Sequence, residues 1–165
     1  MARAAAQKLR LGILGASGYT GAELVRLLAA HPSAEIAVLT GNTQAGRSLA
    51  GVFPHLGALK LPPLVATEAA DWRGIDAVFC GLPHGTTQKV IAGLPASLKV
   101  IDLSADFRLS DPAAYREWYG HAHEAVELQK EAVYGLTEHN RAAVKGARLV
   151  ANPGCYPTAA LFPLS

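Results

Sequence analysis

The sequence is poor in the residues that would draw it toward a specialised class. Two cysteines, Cys80 and Cys155, stand far apart in 165 residues, so they make neither a disulfide framework nor a metal-binding ladder. An excess of one charge is missing as well. Lys plus Arg number 15 against 13 Asp plus Glu, a formal charge of +2, which gives no reason to expect nucleic acid or an anionic membrane surface. No apolar run approaches the roughly 18 residues of a membrane span, and Met1 to Arg10 is too short and too basic for a signal peptide with an apolar centre. Internal repeats and low-complexity tracts are also lacking. What is left is a chain the size of one ordinary domain, half of it apolar, with enough material for a core. A small-molecule partner and a cytoplasmic location are expected, although a removed organelle-targeting segment would leave no trace.

The stretch that organises the rest begins at Leu11-Gly12-Ile13-Leu14, which feeds into Gly15-Ala16-Ser17-Gly18-Tyr19-Thr20-Gly21 and then a helical pattern. Leu24, Leu27 and Leu28 fall at i, i+3 and i+4, one face to lie on a sheet, and His31-Pro32 stops the helix. A helix launched from a strand in this way points its N–H groups and the positive end of its dipole beyond the strand. Both suit a pyrophosphate, and glycines are needed where a Cβ would block the turn or the phosphate. The spacing is G-x-x-G-x-x-G and not the commoner G-x-G-x-x-G, a weak signal alone. A second strand at Glu35 to Thr40 completes the start of a mononucleotide-binding unit; a purely structural turn is the alternative.

That second strand ends at Thr40-Gly41-Asn42, where an acidic residue would normally take the adenosine ribose hydroxyls, and none is present. Arg47 and Ser48 follow instead. A guanidinium with a hydroxyl is what a ribose 2′-phosphate requires, which favours NADP(H) over NAD(H), unless Arg47 is merely a solvated loop residue. Gly46 to Pro63 reads as a long connection without periodicity, able to cover part of the cofactor.

Ala77-Val78-Phe79-Cys80 is a continuous apolar run, as in a parallel strand covered on both faces, and Cys80 within it reads as a small buried hydrophobe. It ends in Gly81-Leu82-Pro83-His84-Gly85. Such strand ends form the ligand crevice of an open α/β sheet, which places Pro83, His84 and Gly85 beside the cofactor phosphates or the nicotinamide ribose. A short helix is expected within Thr86 to Ala96 and a strand at Leu98 to Leu103. Beyond it, Ser104-Ala105-Asp106-Phe107-Arg108 would meet an anionic substrate, or Asp106 and Arg108 would form an ion pair. Asp111 is placed as an N-cap with Pro112 at the first helical position, opening a stretch to Lys130 that is helical in pieces. Tyr115, Trp118 and Tyr119 in it are expected to pack. His121 and His123 lack a third ligand at suitable spacing, so no metal is expected. Val133 to Glu138 is a short extended piece before another helix, and Arg148 to Ala151 is the last strand.

The last strand runs into Asn152-Pro153-Gly154-Cys155-Tyr156-Pro157-Thr158 and an apolar helix. Pro157 suits a first helical turn. Cys155 therefore sits at or just before a helix N-terminus, where N–H groups and dipole favour thiolate over thiol, the condition for a nucleophile; a structural cysteine in a tight turn is the alternative. A nucleotide cofactor and a thiolate in one domain suggest acyl transfer to sulfur, with phosphate leaving, followed by reduction of the thioester to an aldehyde. The fold class expected is α/β, Rossmann-like, with a mostly parallel sheet and helices on both faces.

The glycine turn, Leu82-Pro83-His84-Gly85, Ser104 to Arg108, Tyr134-Gly135-Leu136 and Pro153-Gly154-Cys155-Tyr156-Pro157-Thr158, in this order, resemble N-acetyl-γ-glutamyl-phosphate reductases of arginine biosynthesis. The resemblance covers essentially the whole chain. It implies NADPH-dependent reduction of N-acetylglutamyl 5-phosphate with Cys155 as the thioester-forming nucleophile, and Ser17, Tyr19 and Thr20 with the glycines Gly15, Gly18 and Gly21 on the pyrophosphate. Ser104, Arg108, Tyr134 and Asn152 are the substrate-binding candidates. Members of that family run to about twice this length, and their acid/base histidine and most of the dimer-forming sheet lie in the other half. The chain is thus expected to hold an NADP-binding domain over 1–150 and, from 151 to 165, the active-site turn and the start of a second, α+β catalytic domain. A homo-oligomeric full-length protein follows from the same resemblance. Aspartate-semialdehyde dehydrogenase is the nearest alternative enzyme, and a non-catalytic nucleotide sensor the alternative of another class.

Overall fold

The structure is a computed structural model that describes residues 7–164; most of the basic stretch weighed above as a signal peptide lies outside them. The chain divides into two compact units, one ending at Gly81 and the other beginning at Leu82, a break inside the stretch expected as one domain.

The first unit holds strand β1 (Leu9–Leu14), helix α1 (Tyr19–Ala29), and strands β2 (Ala34–Thr40), β3 (Leu64–Val65) and β4 (Ala77–Cys80). The strands lie in the order β3-β2-β1-β4, every pair parallel. β1 is exposed where it begins and buried from Leu11 to Leu14, the profile of a central parallel strand covered on both faces. Its register on β2 slips by one between Leu11 and Gly12. Gly12 is needed there because a Cβ would stand 2.6 Å from the Trp72 indole. Ile13, Leu39 and Leu64 from the strands pack with Ala22 and Val25 of α1 into one core.

The inward face of α1 takes in two of its three leucines and leaves the third outside. Gly21, Ala22 and Val25 are buried, Leu24 and Leu28 flank them, and Leu27 is 55% exposed. Gly21 draws the helix onto the turn so closely that a Cβ would lie 2.5 Å from Ala16 Cα and Gly15 O, so the smallest side chains define the contact and Leu27 falls opposite. A short 3-10 turn at Asn42–Gln44 precedes the aperiodic connection, which contains two more, Leu49–Gly51 and Pro54–Leu56, that deliver Leu49 and Leu56 to the core.

The second unit holds helix α2 (Thr87–Ala92), strand β5 (Lys99–Asp102), helices α3 (Pro112–Tyr119) and α4 (Val126–Glu131), strand β6 (Val133–Tyr134), helix α5 (Thr137–Gly146), strand β7 (Leu149–Ala151) and helix α6 (Cys155–Leu164). Its strands run β5-β7-β6, again parallel. The cap of α3 forms as the residues dictate: the Asp111 carboxylate accepts the Ala113 N–H at 2.9 Å, Pro112 follows, and Gly120 closes the helix at φ 78°. Tyr115 is fully buried, whereas Trp118, expected to pack, is 76% exposed. The inward stripe passes through Tyr115 and Tyr119, four apart with ring centroids 4.8 Å from each other, and leaves Trp118 on its flank. Besides Val100, Leu149 and Ala151, this unit buries Thr87, Gln88, Asp102, Ser104, Asp106, His123 and Gln129. No helix among the described residues is long and apolar enough to cross a membrane.

Candidate functional site

In the first unit the turn after β1 is tied from below. Gly15, at φ 75°, donates its N–H to Thr40 Oγ1 at 3.2 Å, and Ala16 donates to Thr40 O at 2.7 Å. Thr40 is buried and buttresses the turn. The turn closes with Gly18 N–H on Gly15 O at 3.1 Å. Gly15 is required by its backbone and Gly21 by its neighbours, but Gly18 is required by neither: its φ is −92° and a Cβ would meet only Gly15 O, at an ordinary 3.5 Å. Gly18 is the N-cap of α1, with no side-chain cap and no acidic residue in the first turn. The opening N–H groups of Tyr19, Thr20 and Gly21 are thus left for an anion, and a small residue stands where one would approach. The residues fit a pyrophosphate. Tyr19 is 89% exposed beside Phe53, and Ser17 packs against Gly41, where a Cβ would come 2.8 Å from its hydroxyl.

Arg47 and Ser48 lie together at the second 3-10 turn. Ser48 Oγ caps it by accepting the Gly51 N–H at 3.2 Å, and Arg47 donates to Gln44 Oε1 at 2.6 Å and to Gly51 O at 3.3 Å. These contacts hold an exposed guanidinium next to a hydroxyl, the pair a 2′-phosphate needs.

In the second unit the residues after β4 and β5 meet through one buried carboxylate. Asp106 is fully buried. It accepts the Gly85 N–H at 3.0 Å, the Tyr115 hydroxyl at 2.9 Å, the Thr87 hydroxyl in a short contact, and His84 Nδ1 at 2.7 Å. Burial pushes its pKa up, but these hydrogen bonds outweigh burial and hold it below the ordinary carboxylate value. Gly85, at φ 83°, makes the backbone turn that aims its N–H inward. Ser104 is buried as well: its hydroxyl lies 2.7 Å from Asp102 Oδ2 and 2.9 Å from Thr87 Oγ1, and it accepts the Asp106 N–H at 3.0 Å. Burial raises the Asp102 pKa and lowers that of His123, whose Nε2 lies 3.0 Å from Asp106 O. Tyr115 is pushed up by burial and by its bond to Asp106.

Arg108 does not pair with Asp106 in the structure. Its Nε donates to Asn152 O at 2.8 Å and its Nη2 to Leu103 O at 3.0 Å, joining the loops after β5 and β7. Nη1 stands 3.0 Å from where a Gly154 Cβ would be, which puts positive charge beside the turn that carries Cys155. Cys155 is exposed and is the first residue of α6; Cys80 is fully buried. Pro157 falls in the first turn of α6, and Thr158 donates both N–H and hydroxyl to Gly154 O. Tyr134, half-buried, is in register with Ala151 at the end of β7 and lines a cavity of about 310 Å³ with His139 and Leu161. Of the substrate candidates, Arg108 and Asn152 are therefore in contact, Tyr134 lies beside the same strand end, and Ser104 is an interior hydroxyl.

Asp102, Thr87 and Gln88 were not singled out by sequence, and Tyr115 only as packing. Gln88 Nε2 donates to the Tyr115 hydroxyl at 2.8 Å, and its Oε1 accepts the Glu124 N–H at 2.6 Å. The usable signal was the Ser-x-Asp pair directly beyond a strand, since such side chains bond nearby backbone.

The semialdehyde dehydrogenase, NAD binding domain family matches residues 10–147, and the chain belongs to it. Among individual relatives, it is 64% identical over 163 residues to an N-acetyl-gamma-glutamyl-phosphate reductase of Rhodospirillum rubrum, covering 96% of this chain and 46% of that protein. A probable chloroplastic enzyme of the same name from Arabidopsis thaliana is 62% identical, with 94% and 39% covered. The chain thus spans about half the length, or less, of these curated relatives. The crystal structure of aspartate semialdehyde dehydrogenase with NADP from Candida albicans superposes with a TM-score of 0.62 at 17% identity, over 96% of this chain and 46% of that one. At that identity the likeness shows the Rossmann-like fold alone.

Proposed function

We propose that this chain is the NADP(H)-binding, nucleophile-bearing half of a reductase that converts N-acetyl-L-glutamyl 5-phosphate to N-acetyl-L-glutamate 5-semialdehyde and phosphate, a step of arginine biosynthesis. The observation that carries the reading is Cys155, an exposed thiol on the first residue of α6 at the end of β7, in a chain 58–64% identical to reductases of that name. Its thiolate attacks the acyl carbonyl carbon; the C–S bond forms, the bond from carbon to phosphate oxygen breaks, and phosphate leaves with the electron pair. Arg108 holds the Cys155 loop through Asn152 O and keeps positive charge beside it, in keeping with an anionic leaving group. When bound, the cofactor supplies a hydride, which takes the thioester to aldehyde and thiolate.

Gly15, Ser17, Gly18, Tyr19, Thr20 and Gly21 would hold the pyrophosphate, with Thr40 supporting the turn. Arg47 and Ser48 would hold the 2′-phosphate, and Pro83, His84 and Gly85 the nicotinamide end. Tyr134 and Asn152 are assigned to the substrate with Arg108, and Ser104 to the same pocket from within. On this reading 1–150 is the cofactor domain and 151–165 opens the catalytic domain. The full-length protein is a cytoplasmic homo-oligomer that needs neither nucleic acid nor membrane.

The test uses full-length protein with acyl phosphate and NADPH, following nicotinamide absorbance and phosphate release. N-acetylglutamyl phosphate should be reduced and aspartyl phosphate not, and Cys155→Ser should abolish both signals. Turnover by Cys155→Ser, or preference for aspartyl phosphate, would overturn the assignment. The 165-residue chain alone should bind NADPH without sustained turnover, since a missing acid/base group typically costs on the order of a hundred- to ten-thousand-fold in rate.

A further inference from the structure

A row of four oxygens crosses the interior of the second unit: Asp102 Oδ2, Ser104 Oγ, Thr87 Oγ1 and Asp106 Oδ2. Neighbours in the row are 2.7 Å and 2.9 Å apart over the first two steps, and the third is a short contact. Three contacts need three protons. If both carboxylates are ionised, the two hydroxyls supply only two, and one buried pair of oxygens is left facing without a proton between them. The Ser104 N–H donates to Asp102 Oδ1, and the Asp106 N–H to Ser104 Oγ, so neither backbone donor fills the gap.

We propose that Asp102 and Asp106 share one proton at neutral pH, with Asp102 a neutral carboxylic acid and Asp106 a carboxylate that serves as the positioning residue of His84. With that proton on Asp102 Oδ2, the row runs one way: Asp102 donates to Ser104, Ser104 to Thr87, and Thr87 to Asp106. Every oxygen is then satisfied, Ser104 Oγ accepting two hydrogen bonds and donating one. Asp106 is the end suited to the charge because it also receives donors from Gly85, Tyr115 and His84, whereas Asp102 receives only Ser104. Burial acts in the same sense, raising Asp102. The titratable and charged groups facing the pair are His84 and Tyr115 at Asp106, His123 at the Asp106 carbonyl, and Arg108, whose charge acts on Asp102.

For His84 the consequence is a fixed tautomer. Its Nδ1 is engaged by Asp106 at 2.7 Å, and its ring lies against Tyr119, centroids 4.6 Å apart, with the side chain 35% exposed. The neutral ring therefore carries its proton on Nδ1 and offers Nε2 as an acceptor. The ligand group it takes is a hydrogen-bond donor, a sugar hydroxyl or a carboxamide N–H, in preference to an unprotonated phosphate oxygen. None of this depends on which acyl phosphate is the substrate.

The test is NMR of the protein carrying ¹³C-carboxyl aspartate and ¹⁵N-histidine, titrated from acid to mildly alkaline pH. One carboxyl resonance should stay at the protonated position at neutral pH and vanish in Asp102→Asn, and the His84 nitrogens, assigned with His84→Gln, should report Nδ1–H. In Asp102→Asn the amide N–H replaces the carboxyl O–H as donor to Ser104, so the His84 signals should be unchanged and Tm at neutral pH should be no lower than wild type, since the variant has no proton to take up on folding. Two ionised carboxyls at neutral pH, an Nε2–H tautomer, or a fall in Tm for Asp102→Asn as large as for Asp106→Asn would each overturn the proposal. If Asp106→Asn does not fold, the wild-type spectra decide alone.

Discussion

The turn after β1 and the turn after β5 meet the same problem with opposite chemistry. Each follows the C-terminal end of a parallel strand, where backbone N–H groups lose their ladder partners. The first is made of glycines and leaves the opening N–H groups of α1 without a side-chain cap. The second brings in a buried carboxylate, Asp106, which takes the Gly85 N–H and two hydroxyls for itself. A turn that leaves its donors open is built for an anion from outside; a turn that supplies its own anion is built to hold a neighbouring side chain still. Loss of function at the first should therefore cost binding before stability, and at the second stability before binding.

The largest expected effect is at Asp106. Asp106→Ala strands the Thr87 and Tyr115 hydroxyls in the interior and leaves the Gly85 N–H and His84 without their partner, and unpaired buried groups cost about 1–3 kcal/mol each when nothing replaces the partner. A loss of about 3 kcal/mol or more in urea unfolding is expected. Equal stability to wild type would break the comparison from this side. The pH dependence has two signs. Asp106, held low in the fold, contributes stability above the ordinary Asp range that is lost as pH falls through its folded value. Asp102, held high, keeps a proton the unfolded chain has released, so its part of the stability falls as pH rises from the ordinary Asp range through its folded value. Unfolding of Asp102→Asn measured across that window should be flatter than wild type.

A glycine pair sharpens the other side. Gly21→Ala puts a methyl 2.5 Å from backbone atoms of the turn, and overpacking of this sort costs about 1–3 kcal/mol. Gly18→Ala meets nothing closer than 3.5 Å, so it should unfold within about 1 kcal/mol of wild type while binding of NADPH, followed by fluorescence, weakens at least about tenfold as the methyl meets the phosphate. Unchanged binding in Gly18→Ala would remove the contrast between the turns. The smallest effect is at Arg47, exposed and already shared with Gln44 and Gly51. Arg47→Ala should weaken NADPH by about tenfold, the worth of one charge-assisted hydrogen bond, and leave NADH unchanged.

What the chain's order of residues determined is whatever acts over a few positions. The glycine turn between strand and helix, the Asp111-Pro112 start of α3, the apolar runs that become β1, β4 and β7, and Cys155 at the head of α6 all rest on neighbours within one turn, and all were legible. The tertiary structure alone decided which faces and which polar groups meet. Leu27 and Trp118 turned outward because Gly21 and the Tyr115–Tyr119 stripe set the contact, which no periodicity of their own segment specifies. Asp106 looked like a partner for Arg108 two residues on, yet it bonds Gly85 and Thr87, 21 and 19 residues away, and Arg108 reaches Asn152, 44 away. The physical reason is burial. A surface carboxylate can settle for its nearest cation, but a carboxylate taken out of water must collect enough donors to replace its hydration, and only the packing of β5 and α2 with the loops around them brings those donors to one point.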